Sequence, residues 1–189
     1  MKVVGFFGGS FDPIHFGHIN LAIELMEKCA LDKVLFCPAF CSPFRGDHPP
    51  QTSPSHRLNM VRLGIEGIPQ FSVLPCEVEQ PGPSYTIDTI KALQKPGIQY
   101  HLLLSDESAA HFAQWKNASE LLHLAPPLVG SRHHGHLEFD PNAKAIVTKI
   151  FEISSTEVRR RLHEGKPCSH LVPAKVLDYI QTHRLYSRS

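Results

Sequence analysis

A chain of 189 residues, 42% hydrophobic and 20% charged, has the length of one domain and the balance of an ordinary folded core, which excludes a disordered tail, a collagen-like repeat and a coiled coil. Nineteen Lys and Arg against eighteen Asp and Glu leave a net charge of +1, so no overall field draws the chain to nucleic acid or anionic lipid. Any phosphate it binds must be held locally. Five cysteines, an odd number with no CxxC pair, point to reduced thiols and against a disulfide framework or zinc ribbon. The apolar stretch after Met1-Lys2 stops at Gly8-Gly9, too short for a signal-peptide core or a membrane span, so a cytoplasmic address is expected.

Lys2–Phe7 is an apolar run that predicts a strand, and Ile19, Ile23 and Met26 then recur at helical spacing. Leu31–Pro38 predicts a second buried strand. Ala39–Ser53 is proline-rich and without periodicity, a long surface loop of the kind that is commonly functional. Ser53 and Pro54 supply an N-cap and a first helical residue, with Leu58, Val61 and Ile65 on one face. Phe71–Cys76 predicts strand three. After Pro81-Gly82-Pro83, Ser84 is placed to cap a helix running to about Gln94, followed by a strand at Gln99–Leu104 and broken helix over Ala109–Leu124. Leu128–Gly130 and Ala145–Ile153 predict two short strands. Ser154-x-x-Glu157 is a capping-box signal for a helix reaching His163, and Pro173 starts the last helix. Strands alternating with helices imply right-handed crossovers, and hence an α/β fold: a doubly wound, mainly parallel sheet with helices on both faces.

In such a sheet the ligand crevice lies beyond the carboxyl ends of the strands, where helix N-termini offer free N–H groups. The first turn, GGSFDPIHFGH from Gly8 to His18, falls there. Gly8 and Gly9 let the backbone approach an anion, Ser10 adds a hydroxyl, and His15 and His18 can present imidazole N–H groups to oxygens that gain charge in a transition state. No Gly-Lys-Ser/Thr closes it and it is not GxGxxG, so it is neither a Walker A loop nor a dinucleotide fingerprint. Near the other end, ISSTEVRRR (Ile153–Arg161) sets Ser154, Ser155 and Thr156 at a helix start with Arg159 one turn in, a donor set suited to a polyphosphate. A solvated face is the reading for Arg160, and Arg161 is left open.

The first turn resembles the HxGH signature of the nucleotidyltransferase superfamily of adenylyl and cytidylyl transferases, and ISSTEVRRR its second signature. Within that superfamily the chain is most similar to bacterial nicotinate-nucleotide adenylyltransferases, through SHRLNMVRLGI (Ser55–Ile65), GPSYTIDTI (Gly82–Ile90), Trp115 with its Leu-Leu helix, and LVPAKVLDYIQTHRLY (Leu171–Tyr186). The resemblance implies a Rossmann-like fold, a single nucleotidyltransferase domain over residues 1–189, and a pyridine-nucleotide pocket at Ser84, Tyr85, Thr86 and Trp115. It implies transfer of AMP from ATP to nicotinate mononucleotide, forming deamido-NAD and pyrophosphate. His18 would meet the α-phosphate. His15, Ser10 and the Gly8–Phe11 turn would serve the ATP phosphates and adenosine, and Ser154, Ser155, Thr156 and Arg159 the β/γ-phosphates. Mg²⁺ is expected to ride on phosphates and water.

The chain departs from the family at three places. Where the family carries Gly-Ala-Asp ahead of the tryptophan, this chain has Ser105-Asp106-Glu107, and Asp106 and Glu107 are alternatives for the acid. Ser42-Pro43-Phe44-Arg45 replaces Pro-Pro-His-Lys, so Arg45 keeps a cation for phosphate. The family Arg-Pro reads Arg132-His133, and the nearby His134 and His136 lack a carboxylate or cysteine to complete a ligand set, so no protein-held metal is expected. Nicotinamide mononucleotide as the substrate, and a sensor that binds ATP or NAD without turnover, stand as alternatives. No feature of the sequence sets an oligomeric state.

Overall fold

The computed structural model describes residues 1–43, 49–131, 144–149 and 151–187. In chain order it contains β1 (Lys2–Gly9), α1 (Phe16–Lys28), β2 (Lys33–Pro38), α2 (Pro54–Gly64), β3 (Phe71–Val73), α3 (Thr86–Leu93) and β4 (Ile98–Ser105). Then come α4 (Asp106–Ala110), a 3-10 turn at Phe112–Gln114, α5 (Ala118–Leu124), β5 (Pro127–Ser131), β6 (Lys144–Val147), α6 (Ser155–His163) and α7 (Ala174–Thr182). The strands form one six-stranded sheet in the order β3-β2-β1-β4-β5-β6. All five pairings are parallel.

Side chains of successive strand residues point to opposite faces, and each face carries its own core. Phe7 of β1, Val34 and Phe36 of β2 and Leu103 of β4 pack with α1, α2, α6 and α7. Val4 and Phe6, Cys37, and Leu102 and Leu104 of the same strands pack with α3, α4 and α5. The doubly wound expectation is met. The strand order reverses between β1 and β4, and a crevice opens there at the carboxyl ends of the strands. Gly8-Gly9 ends one of these strands and Ser105 the other. Among the described residues no helix is long and apolar enough to cross a membrane.

Several element boundaries differ from the sequence expectation, each for a local reason. β2 begins at Lys33, because Asp32 turns back to β1: its carboxylate accepts from Val3 N at 2.7 Å and its N–H donates to Val3 O at 2.8 Å. β3 stops at Val73, since Pro75 has no N–H to continue the ladder. β6 stops at Val147, and the Lys149 N–H goes to the Glu24 carboxylate of α1 at 3.2 Å. On α1 the buried residues are Ile19, Leu21, Ala22 and Leu25, with Ile23 and Met26 half-buried at the margin. Ser53 caps α2 through the N–H of His56, with Pro54 first in the helix, as its sequence predicts. The five cysteines are free.

Candidate active site

The turn after β1 is shaped by packing beneath it. Phe11, at φ 48°, is buried, and its ring lies edge-on to His18 at 5.1 Å and to Phe7 at 5.5 Å. What Phe11 offers a nucleotide is therefore its main chain. His15 precedes α1 and is 4% exposed, its ring stacked on that of His18 at 3.7 Å. Gly17 makes the stack possible, because a Cβ there would come within 3.0 Å of His15 Nδ1. Burial pushes the His15 imidazole down to about 3, so it is neutral at physiological pH. Two stacked imidazoles thus carry no mutual repulsion from that ring. The His15 N–H donates to His18 Nδ1 at 3.3 Å, which leaves the His18 proton on Nε2. His18 is half-buried, and His15 Nδ1 is a buried nitrogen with no partner.

The second signature folds against this turn. Ser154 caps α6 by accepting from Glu157 N at 3.1 Å, but the reciprocal half of the capping box is missing, because the Glu157 carboxylate takes Arg160 at 2.8 Å. Arg160 also pairs with Glu164 and faces solvent, as expected, while Arg161 donates to Pro167 O at 2.8 Å. Ser155 Oγ donates to Pro13 O at 2.9 Å, so its hydroxyl proton is engaged and its helix-start N–H is what it can offer an anion. Arg159 Nη1 donates to Asp12 O at 2.7 Å and Nη2 to Thr156 Oγ1 at 3.2 Å. A hydroxyl that accepts from a guanidinium can still donate its own proton. Ile153 O lies 3.3 Å from where a Gly17 Cβ would be. The imidazoles and the Arg159 guanidinium, more than 130 positions apart in the chain, thus share one corner of the crevice.

A third segment joins the corner to the other side of the sheet. Arg57 of α2 is fully buried, and its guanidinium donates to Ser10 O at 2.8 Å, Ala39 O at 2.6 Å and Phe40 O at 2.8 Å. The neighbouring Phe40 N–H donates to Ser84 Oγ at 3.0 Å, and Ser84 N–H donates to Cys41 O at 2.8 Å. Ser84 therefore does not cap α3. Tyr85 occupies the cap position without a side-chain bond, because the Ser84 hydroxyl is drawn to the loop after β2. Tyr85 and Trp115 pack against the same core cluster: Lys116, next to Trp115, sets its Nζ 4.4 Å over the Tyr85 ring and 2.9 Å from Asp88, and Trp115 is half-buried against Phe112 at 5.4 Å. Thr86 begins α3. Asp106 and Glu107 are exposed in the first turn of α4, at the carboxyl end of β4. Arg45, Arg132, His133, His134 and His136 lie outside the described residues.

Three residues with no role assigned from sequence hold this corner. Asp12, 1% exposed, accepts from Gln51 N at 2.7 Å, Thr52 Oγ1 at 2.7 Å and Tyr186 Oη at 2.6 Å. Arg57 could have been suspected, since it shares the helical stripe of Val61 and Ile65, where a cation needs acceptors. Tyr186 leaves no local signal. Among the described residues Asp12 already takes three protein donors and has no second carboxylate, histidine or cysteine grouped with it, and no three His, Cys, Asp or Glu form a metal-binding group. The donors around the turn suit phosphate oxygens instead.

The sequence pattern of the cytidylyltransferase-like family matches residues 6–161. The chain is 34% identical to the nicotinate-nucleotide adenylyltransferase of Bacillus subtilis, over 98% of this chain and 99% of that one. It is 37% identical to a probable nicotinate-nucleotide adenylyltransferase of Salinibacter ruber, over 97% of each. Its fold is similar to that of Plasmodium falciparum nicotinic acid mononucleotide adenylyltransferase solved with NaAD, with a TM-score of 0.75, 20% identity and 98% of each chain covered.

Proposed function

The chain belongs to the cytidylyltransferase-like family and, within it, to the nicotinate-nucleotide adenylyltransferases, and on that premise we infer that it transfers AMP from ATP to the 5′-phosphate of nicotinate mononucleotide. The products are deamido-NAD, the precursor of NAD, and pyrophosphate. The observation that carries this reading is the stitching of the two signatures, Arg159 to Asp12 O at 2.7 Å and Ser155 to Pro13 O at 2.9 Å, which sets a fixed cation beside the paired imidazoles.

A phosphate oxygen of the mononucleotide attacks the α-phosphorus in line. One P–O bond forms, the bond to the bridging oxygen breaks, and pyrophosphate leaves with the electron pair. The nucleophile needs no strong base, since a phosphate monoester loses its second proton near a pKa of about 6. Catalysis is then positioning and charge stabilisation. In this reading His18 directs Nε2–H at the α-phosphate oxygens, and His15 and Ser10 lie along the phosphates. The β/γ-phosphates meet the α6 N-terminus at Ser154 and Ser155, with Thr156 and Arg159. Gly8 and Gly9 pass under the adenosine. Ser84, Tyr85, Thr86 and Trp115 form the pyridine end, with Asp106 or Glu107 at the switch point. Mg²⁺, when bound, would be held by the phosphates and water, since no group of described side chains forms a ligand set, and would supply charge neutralisation. The working site is placed in the cytoplasm.

Pyrophosphate release with ATP and either mononucleotide tests the reading. The acid is expected to be turned over faster than the amide, and His18→Ala to lower turnover by about 10²–10³, the usual loss for one oxyanion donor. Preference for the amide would correct the substrate. Near-wild-type turnover in His18→Ala would remove the mechanism.

A further inference from the structure

We propose that Tyr186 is a positioning residue for Arg159: its hydroxyl fills the buried Asp12 carboxylate, and so leaves the guanidinium available to the triphosphate. This rests on the reading that Arg159 meets the phosphates of ATP. Asp12 Oδ1 accepts from Tyr186 Oη at 2.6 Å and Thr52 Oγ1 at 2.7 Å, and Oδ2 from Gln51 N at 2.7 Å. The two hydroxyls lie 3.3 Å apart. With three donors already on the carboxylate, Arg159 Nη1 stops 3.9 Å from Oδ2 and bonds only the main-chain oxygen of the same residue. An arginine facing a buried carboxylate would ordinarily close on it in a two-pronged pair, which would take up the fork that a phosphate needs.

The tyrosine is suited to this task because it can only give a hydrogen to the acid. Burial and the neighbouring Asp12 charge both raise its phenol well above the usual range, so the O–H stays protonated. The helix that leads to it is tied to α2. On α7, Tyr179 Oη bonds His56 Nδ1 at 2.9 Å and accepts from Asn59 Nδ2 at 3.1 Å, both on α2. A cavity of ≈ 320 Å³ opens beside the network, lined by Gln51, Thr156, Arg159 and Tyr186 among others, so there is space for an anion next to the guanidinium. Without the Tyr186 hydroxyl, Oδ1 keeps one donor in a buried site, and the Arg159 guanidinium already stands 3.9 Å from the other oxygen of the same carboxylate. A buried acceptor short of a partner recruits one, and Arg159 turns from phosphate to carboxylate.

The test is steady-state kinetics together with calorimetric ATP binding on the full chain. Tyr186→Phe is expected to raise KM and Kd for ATP by about tenfold, the scale of one charge-assisted hydrogen bond. The KM for nicotinate mononucleotide and the thermal midpoint should hold near wild type, a split that a merely structural tyrosine would not produce. Thr52→Ala removes the other donor to Oδ1 and should give the same split, with Thr52→Ser restoring ATP binding; this pair decides the matter if Tyr186→Phe does not fold. Unchanged ATP affinity in folded variants, or an equal rise in both KM values with a lowered midpoint, overturns the proposal. If the wild type itself neither binds ATP nor releases pyrophosphate, the reading of the site falls and this inference with it. An active wild type with indifferent variants removes only the inference.

Discussion

Around Asp12 and Arg57, both buried, the polar groups are answered by partners at 2.6 to 2.8 Å, drawn from the turn after β1, the loop after β2 and the C-terminal segment. On the other side of β1, α3 is anchored by the buried Ile87 and Ile90 and by Thr89 Oγ1 donating to Glu77 at 2.6 Å, while the face that carries Tyr85 is closed only by Lys116 reaching over that ring to an exposed Asp88. The difference follows the chemistry asked of each side. Stabilising charge that develops during transfer requires donors fixed beforehand, since reorganising them would cost free energy at the transition state. Accepting a flat ring requires only that aromatic side chains settle around it, and the half-buried Tyr85 and Trp115 on a fixed helix and turn allow that.

Removing Arg57 should break the comparison most severely. Arg57→Met leaves the carbonyls of Ser10, Ala39 and Phe40 short of a donor, and a buried unsatisfied group costs about 1–3 kcal/mol, so a loss of about 3 kcal/mol or more is expected in urea unfolding. A loss below about 1 kcal/mol would show the clamp to be incidental. Because it ties Ser10 to Ser84 through Phe40, both substrates should bind less well in what remains folded.

Acid should loosen the fixed side next. An unfolded imidazole titrates near 6.5, while that of His15 sits at about 3 in the fold. Between these values the unfolded chain binds a proton that the folded chain does not, so this contribution is complete above pH 6.5. It falls by about 1.4 kcal/mol per unit as pH drops toward 3. His15→Gln should flatten stability against pH between 5 and 6.5 relative to wild type, and parallel curves would contradict the assignment. Lys116→Ala should be the mildest. An exposed ion pair contributes about 0–1 kcal/mol, so stability should stay within about 0.5 kcal/mol. The KM for the mononucleotide should move by no more than about threefold with that for ATP unchanged, the scale of an exposed cation–π contact. A larger effect on ATP would make the two sides one unit.

What could be read in advance divides along the same line as contact range. The Ser154 cap is a local device whose donor lies three residues away, and it stands where capping chemistry puts it, whereas the Gly8–His18 turn stands where its sequence puts it but is clamped by Arg57 and Arg159 from afar. Ser84 had the same capping chemistry available, yet its hydroxyl serves Phe40 N, 44 positions away. β6 ends short of the expected Ile153 where a distant group takes the backbone N–H, as Glu24 does for Lys149 across 125 positions. Asp12 stood inside a motif rich in phosphate donors, and a carboxylate in that company had to be neutralised by something. Its partner Tyr186 is 174 positions downstream, beyond the reach of any pattern.

That span has a consequence for the order of folding. Closing a loop of 174 positions carries a larger entropy cost than closing the turn after β1 or capping α6, so the bond between Tyr186 and Asp12 is expected to form after the local structure on either side of it.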